Sequence, residues 1–394
     1  MTSQQTAVRD KQQRARTGDR RSTVHLSERK LDWSSPATGL ADVSLHQLAP
    51  YIGRMKTDMA RTLLLHHTRP ADTIVDPFCG CGVVPLEAAL HGRHVVAGDW
   101  NPYAVVLTRA KLFPPRSLRA ARTRLRKTWA LTQQLLARQD LRTVPAWVRR
   151  FFHPETLREA LAFRDACLAR DEDFLLACLL GILHHQRPGF LSYPSSHLVP
   201  YLRDRKFPRA KNPDLYERRD VFSRLEAKVM RAYRRPAATF TTRRRVDSVD
   251  ARQFARLRNV GAVITSPPYM NELDYVRDNR LRLWFIEKRL PDELEMPGAN
   301  RAQAFEELMK TVCARLAPSI RRKGKFILVI GDATRGGGRP GRSAAIVQAI
   351  FASEPSLCGF RLIDRWKDRI PDVRRSRREC RGTKAETILV YQRA

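Results

Sequence analysis

No apolar run in the 394 residues is longer than Phe174 to Leu183, ten positions. That is about half of what crosses a bilayer, so a membrane-spanning helix is excluded. Cysteine is scarce and odd in number, seven in all, which excludes a disulfide framework and points to a reducing cytoplasm. No apolar stretch follows the scattered Arg and Lys of the first thirty residues, so no secretory leader is expected. Cys79-x-Cys81 lacks a second pair at finger spacing, and no metal site is expected. Acidic residues are few, 40 against 73 Lys and Arg, leaving a formal charge of +33. Self-repulsion of that size disfavours a compact chain unless a polyanion compensates. Nucleic acid is therefore the expected partner, ahead of an anionic membrane surface. Hydrophobic residues still make up 43%, enough to build a core.

Residues 1–40 lack apolar periodicity and read as a basic, disordered arm. From Leu48 the pattern tightens. A helix is predicted over Met55 to His66, then a short strand Thr73 to Val75, a turn, and a helix Val83 to Leu90 stopped by Gly92. A strand His94 to Ala97 leads to Gly98-Asp99, and a helix starts at Asn101-Pro102. Strand, glycine turn, helix, strand, acidic residue is the opening of a doubly wound nucleotide-binding sheet. Pro114-Pro115 breaks this rhythm. Residues 114–239 read as a mostly helical and loop insertion, with helices over 116–139, Pro154 to Ala169 and Asp171 to Leu183. The stretch from Pro114 to Arg245 holds 29 basic and 12 acidic residues, about half the net charge. The sheet resumes at Arg245-Val246 and Ala262 to Ile264. Later strands are expected at Lys325 to Gly331, Arg361 to Trp366 and Glu386 to Tyr391. Helices are expected at Tyr275 to Glu287, Phe305 to Leu316 and Ser343 to Phe351.

Two turns carry the chemistry. Asp76-Pro-Phe78-Cys-Gly80-Cys-Gly82 ends the first strand, and its glycines let the backbone approach a ligand ahead of a helix N-terminus. Asp99, at the end of the second strand, suits a ribose diol. Pro85 stands where a dinucleotide fingerprint would place its third glycine, which argues against NAD. Thr265-Ser266-Pro267-Pro268-Tyr269 ends an apolar strand. Its prolines stiffen the chain and leave their carbonyls free of a helical turn, so a hydroxyl, a carbonyl and a ring can be aimed together.

On these residues the chain resembles the DNA amino-methyltransferases. Asp76 to Gly82 is similar to that family's cofactor motif and Ser266-Pro-Pro-Tyr269 to its catalytic motif, with Thr265-Ser266 resembling the cytosine-N4 branch. The segment His46 to Met55, with Tyr51, is similar to the one that caps the methionine end of the cofactor. Asp247 to Arg252 is similar to the acidic turn near its adenine. The resemblance implies a Rossmann-like class I methyltransferase sheet formed by residues 41–113 and 240–394, and S-adenosyl-L-methionine as cofactor. It implies that Tyr51, Asp76, Phe78, Gly80, Gly82, Asp99, Trp100, Asp250 and Ala251 bind this cofactor. Ser266, Pro267, Pro268 and Tyr269 would then be catalytic.

What it implies for activity is methyl transfer to the exocyclic N4 of cytosine in a base flipped out of double-stranded DNA. A separately acting restriction endonuclease, and a nucleoid-associated, cytoplasmic location, go with that reading. The insertion would recognise the target. Arg119, Arg122, Arg126 and Lys127, Arg203, Arg205 and Lys206, and Arg374 and Arg375 are the basic clusters expected on its phosphates. Three alternatives stand behind it: adenine-N6 methylation of DNA, guanine-N2 methylation of RNA by enzymes with the same motif order, and a non-catalytic DNA-binding protein. In chemical terms an exocyclic amine is a poor nucleophile because its lone pair is delocalised into the ring. If Ser266 Oγ and the Pro267 carbonyl accept its two hydrogens, the lone pair is freed for in-line attack. All of this requires the two turns to converge on one edge of the sheet.

Overall fold

The computed structural model describes residues 42–51, 53–185, 188–193, 207–237, 239–268, 275–287, 301–332, 342–370 and 384–394. Seven strands form one sheet: β1 (Thr73–Asp76), β2 (His94–Asp99), β3 (Arg244–Ser248), β4 (Val260–Thr265), β5 (Ile320–Asp332), β6 (Phe360–Ile370) and β7 (Lys384–Arg393). Their order is β3-β2-β1-β4-β5-β7-β6. β7 runs antiparallel to both β5 and β6, and the remaining neighbours are parallel. The chain winds outward from β1 through β2 to β3, then restarts at β4 on the other side of β1. The fold is thus a mixed α/β, Rossmann-like sheet, and its switch point lies between the carboxyl ends of β1 and β4. Open sheets of this kind bind their ligands there.

Successive strand residues serve opposite faces, and both faces are buried. Ile74, Ala262, Ile264, Ile327 and Val329 enter one apolar cluster, whereas Val75, Val263, Phe326, Leu328 and Ile330 enter the other. The second face is covered by helices Arg301–Leu316 and Arg342–Ser353, through Phe305, Met309 and Val347. The first carries α1 (Thr57–His67), α2 (Val83–Leu90), α3 (Pro102–Leu112) and the inserted helices α4 (Leu118–Leu135), α5 (Pro154–Ala169), α6 (Asp173–Ile182) and α7 (Val221–Ala232). α6 is apolar on all sides and packs on α3, so the insertion continues the core of the cofactor half.

Two elements differ from the sequence expectation. α7 has no counterpart in it: the stripe Val221, Leu225, Val229, Ala232 sits among Arg and Lys, and Asp220 caps its start by accepting from the Ser223 N–H at 2.6 Å. β5 begins five residues before Lys325. Its register against β4 jumps from Val260–Ile320 to Ala262–Lys325, with Lys323 at φ 60°. A bulge absorbs the polar Arg321-Arg322-Lys323, which apolar patterning does not report as strand.

At the back of α2, the fully buried Glu87 accepts from Arg61 Nε at 2.9 Å and lies 2.7 Å from His46 Nε2. Burial alone pushes its carboxyl up, but His46, His91 and Arg61 outweigh this and hold it far below the usual range. Its stabilisation is therefore complete above the ordinary carboxylate range and is lost as the pH falls toward its depressed value. Glu87→Ala removes one of the three carboxylates that hold the Arg61 guanidinium, leaving it Asp58 at 3.0 Å and Asp42 at 2.9 Å, and takes the partner from His46. It is expected to lower unfolding free energy by about 1–3 kcal/mol, measured by urea denaturation at neutral pH.

Candidate cofactor and methyl-transfer site

The two turns meet. Asp76 ends β1 and Thr265 ends β4, 189 positions later, and Thr265 Oγ1 donates to Asp76 Oδ1 at 2.6 Å. The Phe78 N–H also reaches that oxygen, at 3.3 Å. Burial pushes the Asp76 carboxyl up to about 7, against the opposing pull of these two donors. Ser266 follows Thr265, half-buried, and Pro267 is buried beside it. The structure therefore brings Asp76, Thr265, Ser266 and Pro267 to one edge, with Pro268 next along the chain. Tyr269 lies outside the described residues.

In the cofactor turn Gly80 and Gly82 take φ values of +49° and +72°, which side chains rarely adopt. A Cβ on Gly82 would stand 2.7 Å from Thr108 Oγ1, and one on Gly80 would reach the Tyr51 ring at 3.4 Å. Tyr51 thus covers the turn. Its ring lies 5.8 Å from that of Tyr103, whose hydroxyl donates to the Pro50 carbonyl at 2.6 Å. Asp99 faces the same turn from β2. Its Oδ2 accepts from the Gly80 N–H at 2.9 Å and its Oδ1 from the Asn101 N–H at 3.0 Å. A carboxylate has about four acceptor positions, so two remain for a diol. Burial pushes Asp99 up to about 6, opposed by the N–H groups of Asn101, Gly80 and Trp100.

The other expected cofactor residues are less uniform. Trp100 is exposed next to Asp99. Phe78 is half-buried and packs against the second apolar cluster. Ala251 is buried. The Asp250 carboxylate is gripped by Arg252 through both oxygens, at 2.5 and 3.1 Å among its contacts, so an adenine amino group would meet a carboxylate already engaged. Patterning missed Thr108 and Lys111, one helical turn apart on α3, which hold the turn from below. Their signal was a Thr and a Lys at i and i+3 on a helix whose other residues, Pro102, Tyr103 and Arg109 apart, are Val, Leu and Ala.

Of the basic clusters, Arg119, Arg126 and Lys127 are exposed on α4. Arg122 instead joins Glu226 of α7 at 2.7 Å, so its fork ties the inserted helices together. Arg203, Arg205, Lys206, Arg374 and Arg375, like the arm 1–40, lie outside the described residues. Among the described residues no group of His, Cys, Asp and Glu could hold a metal ion, and no helix is long and apolar enough to cross a membrane.

Comparison with known proteins bears on what this edge does. Residues 48–141 match the family model described as RMKL-like, methyltransferase domain. A 75-residue stretch is 39% identical to the tRNA (guanine(6)-N(2))-methyltransferase THUMP3 of Mus musculus. It makes up 18% of this chain and only 15% of that protein. Among solved structures, TrmN from Thermus thermophilus aligns at 12% identity and a TM-score of 0.36, over 89% of this chain and 52% of that one. The rRNA methyltransferase aviRa from Streptomyces viridochromogenes aligns at 11% identity and 0.33, over 92% of this chain and 94% of that one. At those scores neither alignment bears on substrate.

The chain carries a methyltransferase domain, and its cofactor is S-adenosyl-L-methionine. The glycine cradle under Tyr51 and the spare acceptor positions of Asp99 fit that group. The finer expectation is corrected. The matched relative is named as a tRNA (guanine(6)-N(2))-methyltransferase, which overturns the cytosine-N4 DNA methyltransferase assignment. With it go the double-stranded DNA partner, the accompanying endonuclease and the restriction-modification setting. The physical reason is plain. A Ser-Pro-Pro turn presents acceptors to an exocyclic amine, and cytosine N4 and guanine N2 ask the same of it.

Proposed function

We propose that the protein is an RNA methyltransferase that transfers a methyl group to the exocyclic N2 of guanosine. The observation that carries the reading is the 2.6 Å hydrogen bond between Thr265 and Asp76, because it draws the acceptor turn against the cofactor turn. The substrate class is supported by the stretch shared with a tRNA guanine-N2 methyltransferase and by a charge of +33 suited to a phosphate backbone. Arg119, Arg126 and Lys127 on the outer side of the insertion are assigned to that backbone. Single-stranded or bulged RNA suits such a site, since the guanine must leave its stack to enter.

S-adenosyl-L-methionine, when bound, supplies an electrophilic methyl group and departs with the electron pair of the broken carbon–sulfur bond. Asp99 is assigned to its ribose hydroxyls and Tyr51 to covering its methionine end. Ser266 Oγ and the Pro267 carbonyl accept the two N2 hydrogens of guanine and turn its lone pair out of the ring plane. The new nitrogen–carbon bond leaves N2 with one proton too many, which passes along these acceptors to water. Asp76 and Thr265 hold the acceptors in register with the turn. Catalysis of this kind is positioning and charge stabilisation, with no covalent enzyme intermediate.

The test is to incubate the purified protein with labelled S-adenosyl-L-methionine and bulk tRNA and rRNA, then digest the RNA to nucleosides. Label in N2-methylguanosine is the expected result. Label confined to another nucleoside, or absent from RNA, overturns the proposal.

A further inference from the structure

Lys111 is a fully buried lysine on α3 beneath the cofactor turn. Among the described residues it forms no ion pair with a carboxylate, and its ammonium donates to the Cys81 carbonyl at 2.5 Å. One turn earlier, Thr108 Oγ1 donates to the Gly80 carbonyl at 3.0 Å and stands 3.4 Å from Cys79 Sγ. Two consecutive carbonyls of the turn are thus tied to one face of one helix, while the Gly80 N–H is tied to Asp99 from the opposite side. These ties matter because the turn's own bond, from the Gly82 N–H to the Cys79 carbonyl at 2.8 Å, does not reach the Gly80 and Cys81 carbonyls. Gly80 and Gly82 sit at positive φ and have no Cβ to restrict them, so an untied turn would spread over many conformations.

A lone lysine kept uncompensated in the interior is costly, and an apolar residue of its size would suit the surroundings better. Fold stability therefore does not explain it. Its carbonyl contact does: the ammonium keeps the turn in the shape that receives the cofactor before the cofactor arrives, so less ordering is left to be done on binding.

We propose that Lys111, acting with Thr108, is a positioning residue that pre-forms the Cys79–Gly82 turn for S-adenosyl-L-methionine. The inference rests on the cofactor assignment and is independent of the RNA substrate. It is tested by calorimetric titration of S-adenosyl-L-methionine into the full chain and into Lys111→Met and Thr108→Val variants, alongside thermal melting. Lys111→Met is expected to raise Kd ten- to hundredfold while its melting temperature stays at or above the parent value. Thr108→Val is expected to raise Kd about tenfold, as loss of one hydrogen bond requires. At saturating cofactor, kcat and the KM for RNA should stay within twofold of the parent.

A Lys111→Met protein that melts normally and binds within twofold of the parent overturns the proposal. So does one whose melting temperature falls while its Kd is unchanged. Should Lys111→Met fail to fold, Thr108→Val decides alone, and unchanged binding there also overturns it. Failure of the parent protein to bind would instead sink the cofactor assignment.

Discussion

Ser266→Ala is expected to lower kcat about 10²–10³-fold with little change in the KM for S-adenosyl-L-methionine. In the proposed reaction the two N2 hydrogens of guanine become more acidic as the nitrogen takes on positive charge. An acceptor held at Ser266 therefore binds the transition state more tightly than the ground state, and removing such a preorganised partner costs a factor of that order. The turn should survive the change. Ser266 is half-buried, Pro267 and Pro268 stiffen the backbone, and the tie to the cofactor turn runs through Thr265 rather than Ser266. Single-turnover kinetics at saturating cofactor measure the step directly. An unchanged rate would remove Ser266 from the chemistry. A parallel rise in cofactor KM would recast it as part of the cofactor turn.

The reading of the local backbone from sequence succeeded where one residue type answers one physical demand. Glycine at 80 and 82 answers a left-handed backbone, and the apolar strand before Thr265 answers burial on both faces. α5 at Pro154–Ala169 emerged whole, because His153 and Pro154 mark its start and its apolar period is regular. It failed where polar residues serve structure. α7 was hidden by its own charge, since four of its side chains are Arg, Lys or Glu and only four positions face inward. Arg122 reads as a phosphate contact until Glu226, 104 positions away, is seen beside it. Asp250 reads as an open acceptor until Arg252 occupies it.

Lys111 is illegible for the same reason. A lysine on a helix is ordinarily solvated, and only the burial of that helix turns it inward. The base was the least legible feature of all. In the proposed reaction Ser-Pro-Pro specifies how an amine is held, and discrimination between cytosine and guanine belongs to groups that meet the rest of the base.

Asp99→Asn, a change of one atom, is expected to weaken S-adenosyl-L-methionine binding by about one to two orders of magnitude. Both carboxylate oxygens already accept a backbone N–H, from Gly80 and from Asn101. An asparagine must turn its amide N–H₂ toward one of those donors, losing a bond and setting two donors face to face, and it has fewer lone pairs left for the ribose. Acid should act on the parent protein in the same way. With Asp99 near 6, cofactor affinity is expected to fall as the pH drops below about 6, approaching tenfold per pH unit, and the variant should show no such step.

Unfolding does not account for that loss. Asp99 and Asp76 both have folded-state pKa values above those of an unfolded aspartate, so their contribution to stability grows as the pH falls from about 7 toward 4. Glu87 works in the opposite direction only below the ordinary carboxylate range, whereas His46 and His67, held below the usual imidazole range by burial, lose stability as the pH falls below about 6.5 and offset part of the aspartates' gain. Between pH 5 and 6 the fold should therefore persist while binding declines, to be followed by calorimetry and near-ultraviolet circular dichroism on the same samples. Coincident loss of both signals would assign the acid step to the fold. Affinity independent of pH across that interval would remove Asp99 from the ribose, and the spare acceptor positions on β2 would need another ligand.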